Sequence, residues 1–314
     1  MNKLGNTSLD YPPIVFGGNV FGWTANEKES FYLMDRILEM GINMIDSADV
    51  YSRWVPGNKG GESERIIGKY LKERGSRHKF IITTKVGSNM QQGGPKDISK
   101  AHIMEAIDDS LKRLQTDYVD LYFTHWDDDK TPEEETLDAY ATLIKQGKVR
   151  YIGASNLSAE RLQSSLDVSK KHNLPRYEVF QPEYSLAQRE KFEGNIQEIC
   201  MNNNLGVISY FALASGFLTG KYQDREDIVG TEREKFLKAY FDDRGKRILQ
   251  VLKDISDHHN KSQAAIALRW IMQRPGISAP IASASKPEHL NSFQEAIDME
   301  LSPEEMKNLD LASS

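Results

Sequence analysis

The chain carries a single cysteine, Cys200, in 314 residues. An intrachain disulfide is therefore impossible, as is a metal centre built on several thiolates. Cys200 follows Ile196 and Ile199 in a helical pattern, which marks a small core residue and not a nucleophile. Positive charge is also in short supply: 40 Lys and Arg stand against 46 Asp and Glu, a net charge of −6. Nucleic acid and anionic membrane surfaces need a sustained basic patch, so neither is expected as a partner. No apolar run approaches the length of a membrane span, and residues 1–5 lack the apolar core of a signal peptide. The expected compartment is the cytoplasm. No Walker loop occurs, and the turn Gly17-Gly18-Asn19-Val20-Phe21-Gly22 lacks the spacing and following helix of a Rossmann fingerprint. A His-Glu-x-x-His pattern is missing too. The adjacent His258 and His259 should face different ways on a helix, so no metal is expected. The acidic run 127–129 reads as a solvated loop.

What the sequence does have is rhythm. Apolar runs of strand type at 43–47, 80–85, 119–125, 151–155, 179–182, 207–211 and 277–281 alternate with amphipathic stretches. The helical stretches are 29–40, 62–73, 100–114, 134–146, 159–171, 188–203 and 243–258. In the first, Phe31, Leu33, Met34, Ile37 and Leu38 share one face. Ser158 and Thr131 each stand before early acids, as capping side chains do. Repeated strand–helix–strand units mean parallel strands joined by crossover helices. About eight such units in about 300 residues suit a closed α/β barrel, a single (β/α)8 TIM barrel, better than an open doubly wound sheet. Composition shows no break and no Pro- or Gly-rich linker, so residues 1–314 read as one domain. The stretch 222–242 departs from the rhythm. Its Phe236, Leu237, Tyr240 and Phe241 point to an ordered loop lying over something.

Such barrels build their active sites from the loops after each strand, so polar residues at the C-terminal strand ends form one group. They are Asp46 with Tyr51 five residues later, Lys85, His125, the pair Ser155-Asn156, Gln181 and Tyr210. A lysine ending an apolar strand is costly to bury without a carboxylate, and Asp46 is the candidate partner. Alone, each has a plain structural role: a turn cap, a loop aromatic, a hydrogen-bonded core edge. Together they suit acid–base chemistry around a phenol. A free tyrosine titrates near pH 10; an ammonium beside it favours phenolate and lowers that value. Tyr51 would donate the proton, Lys85 would tune it, Asp46 would fix Lys85, and His125 would orient a carbonyl and stabilise its developing charge.

These segments resemble the aldo-keto reductase superfamily, nearly end to end. Residues 43–51, Asn-Met-Ile-Asp-Ser-Ala-Asp-Val-Tyr, are similar to the family's first catalytic segment, and 61–68, Gly-Glu-Ser-Glu-Arg-Ile-Ile-Gly, to the helix that follows. Thr84-Lys85 and His125 complete the tetrad in family order. Residues 148–157 resemble the signature whose Ser155 and Asn156 hold the nicotinamide carboxamide, with Gln181 as third contact and Tyr210 stacked on the ring. Phe217-Leu218-Thr219-Gly220-Lys221 resembles the pyrophosphate loop. The resemblance implies an extended NADPH/NADP+ across the barrel mouth, with Gly18, Asn19, Leu218, Gly220 and Lys221 along it. It further implies hydride transfer to a small aldehyde or ketone. The tail segment 281–290 departs from the family at Ala282-Ser283 and His289, yet Ser285 and Lys286 could receive a 2′-phosphate, with His289 also on the coenzyme. NADH is the less expected coenzyme. The long insertion 52–60 adds Trp54, which with Val20, Phe21, Trp23 and Trp126 would wall a substrate site; Arg53 could meet an anionic substituent. Two other functions remain open: a sugar or alcohol dehydrogenase using the same groups in reverse, and a nucleotide-binding, redox-sensing regulatory subunit. Oligomeric state is not legible.

Overall fold

The computed structural model describes residues 3–90, 94–231 and 233–314. Met1 and Asn2, read above for a leader, and Glu232 in the 222–242 stretch lie outside the described residues. Eight parallel strands close in sequence order: β1 Val15–Gly17, β2 Met44–Asp46, β3 Ile81–Val86, β4 Val119–Thr124, β5 Val149–Ser155, β6 Val179–Gln181, β7 Gly206–Ser209 and β8 Ala279–Ala282. This is a (β/α)8 TIM barrel, as the alternation predicts. β1 was not among the sequence candidates. Its short apolar run is flanked by Pro12-Pro13 and Gly17-Gly18, which read as turn signals.

Around the barrel run α1 Glu27–Glu39, α2 Glu62–Arg74, α3 Lys100–Leu114, α4 Glu133–Lys145, α5 Ala159–His172 and α6 Asn195–Asn202. Then follow the short α7 Glu234–Leu237, α8 Asp243–His259, α9 Gln263–Met272, α10 Asn291–Ile297 and α11 Pro303–Ala312. α1 starts in a capping box, Asn26 and Glu29 exchanging side-chain and backbone bonds. It buries Leu33, Met34 and Ile37, with Phe31 and Leu38 partly covered. Ser158 caps α5 as expected, its Oγ accepting from Arg161 N at 3.1 Å. Thr131 does not cap α4: its hydroxyl donates instead to Asp128 at 2.6 Å. The 188–203 stretch is helical only from Asn195, because Gly194 at φ 91°, ψ −130° adopts a backbone that a helix cannot pass through. The 127–129 run is not merely solvated either, since Asp127 is buried and paired with Arg161 at 2.8 Å. Cys200 is a buried core thiol, which burial pushes up to about 12.

Two cores result. One lies between strands and helices. The other fills the barrel itself, with Met44, Leu121, Phe123, Val179, Ile208 and Ile281 stacked above Leu4 and Leu9. Phe123 fits because its β5 partner is Gly153: a Cβ there would sit 2.4 Å from the phenyl ring. Gly153→Ala is therefore expected to lose about 1–3 kcal/mol through overpacking, read as a lower urea midpoint at unchanged slope. An unchanged midpoint would show that the ring moves aside freely.

Candidate active site

Strand alternation decides which polar groups reach the barrel mouth. On β3, Thr83 and Lys85 point inward, while Thr84 between them bonds the buried Glu64 outside, at 2.6 Å. The register sets Asp46 beside Thr83. Lys85 is 0% exposed, and its Nζ donates to Asp46 Oδ2 at 2.6 Å, Ser47 O at 2.8 Å and Tyr51 Oη at 2.9 Å. All three donor positions of the ammonium are thus satisfied. Asp46 is equally enclosed: Oδ1 accepts from Thr83 Oγ1 and Gln181 Nε2, both at 2.9 Å, and Oδ2 also from Tyr51 Oη at 3.1 Å. Tyr51 is brought back over the mouth by Ser52, whose left-handed backbone (φ 69°) is paired with a hydroxyl bond to Phe21 O at 2.8 Å. His125 stands at the end of β4 with its ring 6.2 Å from that of Tyr51, centre to centre.

Burial pushes the Tyr51 phenol well above its ordinary value, and the Asp46 carboxylate adds to the rise. Burial thus outweighs the lowering expected from Lys85: the phenol keeps its proton, and the ammonium is placed to receive a phenolate. Burial also lowers Lys85, against the opposing pull of Asp46. His125 is held well below its ordinary 6.5 by burial first, then by the charges of Lys85 and Arg53. Arg53 is partly buried, with Nη1 left unpartnered among the described residues.

The opposite half of the mouth is one hydrogen-bonded chain. Tyr210 Oη donates to Asn156 Oδ1 at 2.7 Å, Asn156 Nδ2 to His125 O at 2.9 Å and Ser155 Oγ at 3.0 Å, and Ser155 Oγ to Gln181 O at 2.7 Å. Asn156 is left-handed at φ 55°, which turns its amide inward. Ser155, Asn156, Gln181 and Tyr210, singled out separately in the sequence, are thus assembled into a single surface.

Beyond Tyr210 the backbone runs left-handed at Ala214, Ser215 and Gly216 (φ 46°, 58° and 100°). The amides of Ala214 and Gly216 are taken by Phe211 O at 2.7 Å and Leu213 O at 2.8 Å, so what the bend sets toward a ligand is its side chains. A Cβ on Gly216 would sit 3.3 Å from Lys221 Cε and 3.5 Å from Arg233 Nη1, so the glycine keeps space between two cations. Arg233 was missed in the sequence, because a charged stretch without period gives no signal. It donates to Ser215 O at 3.1 Å and lies 5.5 Å over the Trp23 ring, so the 222–242 stretch does lie over the mouth, anchored by buried Leu237 and Phe241. His289 is lowered by partial burial, and Lys221, Lys286 and Arg233 act on it in the same direction against Glu288. Four cationic or basic groups thus share one end of the groove, a fit for a phosphate-bearing ligand. Ser285 caps no helix and instead bonds Thr24 at 2.8 Å; Asn19 accepts from Ser283 at 2.7 Å. Gly18 and Leu218 are buried, and Leu218 presents no surface to a ligand.

Trp54 meets Trp23 edge-on at 5.5 Å and Tyr51 at 6.2 Å, and Trp126 lies across His125 at 6.1 Å with Lys96 over its ring. Both Trp54 and Trp126 are more than a third exposed, whereas Val20 and Phe21 are fully buried. The wall is therefore three tryptophans, and Val20 is a core residue tied to it only through its carbonyl, which accepts from Trp23 N at 3.1 Å. His258 and His259, expected to face apart, converge on Glu305.

The sequence model of the aldo/keto reductase family matches residues 13–313. The chain is 33% identical to Aldo-keto reductase YhdN of Bacillus subtilis, over 93% of this chain and 86% of that protein. It is 30% identical to Protein tas of Escherichia coli K12, covering 98% and 96%, and 32% identical to a putative voltage-gated potassium channel subunit beta of Schizosaccharomyces pombe, covering 98% and 91%. The chain belongs to the aldo/keto reductase family, whose members use nicotinamide coenzymes.

Burial and the charges of Lys85 and Arg53 favour the neutral ring of His125. NMR titration of the imidazole should place its midpoint below the ordinary 6.5. A titration midpoint at or above 6.5 would contradict the enclosure described here.

Proposed function

We propose that this chain is an oxidoreductase that uses NADPH to reduce a small aldehyde or ketone to the alcohol. The observation that carries the reading is the Lys85 ammonium, buried and bonded at once to Asp46 and Tyr51 at the mouth of the barrel. When bound, the coenzyme supplies the hydride that the carbonyl carbon accepts. Ser155, Asn156 and Gln181 offer donors and acceptors for its carboxamide, and Tyr210 a face for its ring. Gly18, Asn19, Gly220 and Lys221 would follow its diphosphate, joined by Arg233. Ser285, Lys286 and His289 would take the 2′-phosphate, which NADH lacks.

The chain's own part in the chemistry is the proton. The Tyr51 phenol, held protonated by burial, turns its O–H from Asp46 to the carbonyl oxygen as negative charge develops there. The phenolate left behind accepts the hydrogen bond that Lys85 Nζ already directs at the same oxygen. Asp46 keeps that ammonium charged and fixed. Neutral His125 donates a second hydrogen bond to the substrate oxygen and orients it. Trp54 and Trp126 offer apolar faces to the remainder of the substrate. The whole chain acts as one domain, in the cytoplasm.

Reversal of these steps would oxidise an alcohol with NADP+ or NAD+. The resemblance to a channel beta subunit supports a second reading, a nucleotide-binding regulatory subunit; the assembled proton donor favours turnover.

Tyr51→Phe should lower carbonyl reduction by about 10²–10⁴-fold while NADPH quenching of tryptophan fluorescence stays near wild type. Retained turnover would remove Tyr51 from the role. Lys286→Ala should weaken NADPH about tenfold more than NADH, a difference of about 1.4 kcal/mol. Equal effects would place the 2′-phosphate elsewhere.

A further inference from the structure

α8 ends in His258-His259, and Glu305 is the third residue of α11. Neighbouring residues on a helix project about 100° apart, so two histidines in succession ordinarily diverge. Here they converge because they use different nitrogens. His258 reaches Glu305 Oε1 with Nδ1, the nitrogen near its own backbone, at 3.2 Å; His259 reaches the same oxygen with the distal Nε2, at 2.8 Å. The rings stand 5.0 Å apart at 67°. All three ligand atoms lie within 4.8 Å of one another.

We propose that His258, His259 and Glu305 form a binding site for a divalent cation of the zinc class, clamping the end of α8 to the start of α11. Zinc bonds of about 2.0–2.1 Å in a tetrahedron place neighbouring ligand atoms about 3.3 Å apart. The two nitrogen–oxygen separations need open by only a few tenths of an ångström. The carboxylate is already aimed, because its other oxygen, Oε2, accepts from Ser302 N at 2.8 Å and Ser302 Oγ at 2.9 Å. That capping box leaves Oε1 free for the histidine side and serves as the outer support that a ligating carboxylate needs. Two imidazoles and one carboxylate suit a borderline cation, not Mg²⁺ or Ca²⁺, which prefer all-oxygen sets. His258 is 77% exposed while His259 and Glu305 are largely covered, so a fourth position opens to water and the cation has an entry path. The site lies between two packed helices, and none of its groups belongs to the proton machinery at the mouth. Its occupancy should therefore be read in binding and unfolding, not in turnover.

The test is calorimetric titration of the tag-free full chain with Zn²⁺ in a Mg²⁺-containing buffer near neutral pH. One equivalent of saturable binding is expected, with a rise in melting temperature at hundredfold excess over Kd. His258→Ala removes an exposed ring that folding does not need, and Glu305→Gln removes the charge; each should weaken Zn²⁺ at least tenfold. The same stoichiometry should appear as a Co²⁺ visible band that both variants lose. Absence of saturable Zn²⁺ binding, or binding unchanged in both variants, would overturn the assignment.

Discussion

A fully buried ammonium is the constraint around which this barrel mouth is organised. Removing a lysine head group from water costs several kcal/mol, and only close, complete pairing offsets it. Lys85 finds three acceptors between 2.6 and 2.9 Å, and they come from β2 and the loop that follows it. The pairing holds only if β2 and β3 keep the register that sets Asp46 beside Thr83, and if the chain doubles back after Tyr51. The left-handed Ser52, an unusual conformation for a residue with a side chain, is what that doubling back requires.

From Asp46 the constraint spreads across the barrel. Gln181 on β6 donates to its Oδ1, and the Gln181 carbonyl in turn accepts from Ser155, the first of the chain that runs through Asn156 to Tyr210. The proton-handling half and the proposed coenzyme half are thus one network without a break. Residues locked by their neighbours lose little freedom when a ligand arrives, which is how a site on loop ends becomes as rigid as one on strands. The aromatic wall is tied in separately, through Ser52 to Phe21 and through Asn58, whose amide bonds Gly22 O and Ser52 O.

The sequence disclosed this centre because burying a charge is expensive. A lysine closing a β-branched strand announces a partner, and the periodicity placed the partner on the neighbouring strand. The barrel itself was legible from the alternation, whereas β1 was not, because prolines and glycines flank its apolar run and no helical pattern precedes it to set a rhythm. Arg233 was hidden for the same reason: its stretch has charge but no rhythm, and its place over Trp23 is decided by tertiary packing. The histidine pair was misread because a helical wheel tracks Cβ directions and ignores which ring nitrogen is used. Lys85 was expected to acidify Tyr51, an argument from one neighbouring charge that left out desolvation, the largest influence on a buried phenol.

The most direct test of the organising role of this ion pair is a double-mutant cycle on Asp46→Asn and Lys85→Met, read by urea unfolding. Each single change strands a buried charge or its solvating groups, with about 3–5 kcal/mol at stake when a buried partner is lost. The double variant should cost far less than the sum, giving a coupling of a few kcal/mol. Additive losses would mean that the two residues are stabilised independently, and that the mouth is held together by something else.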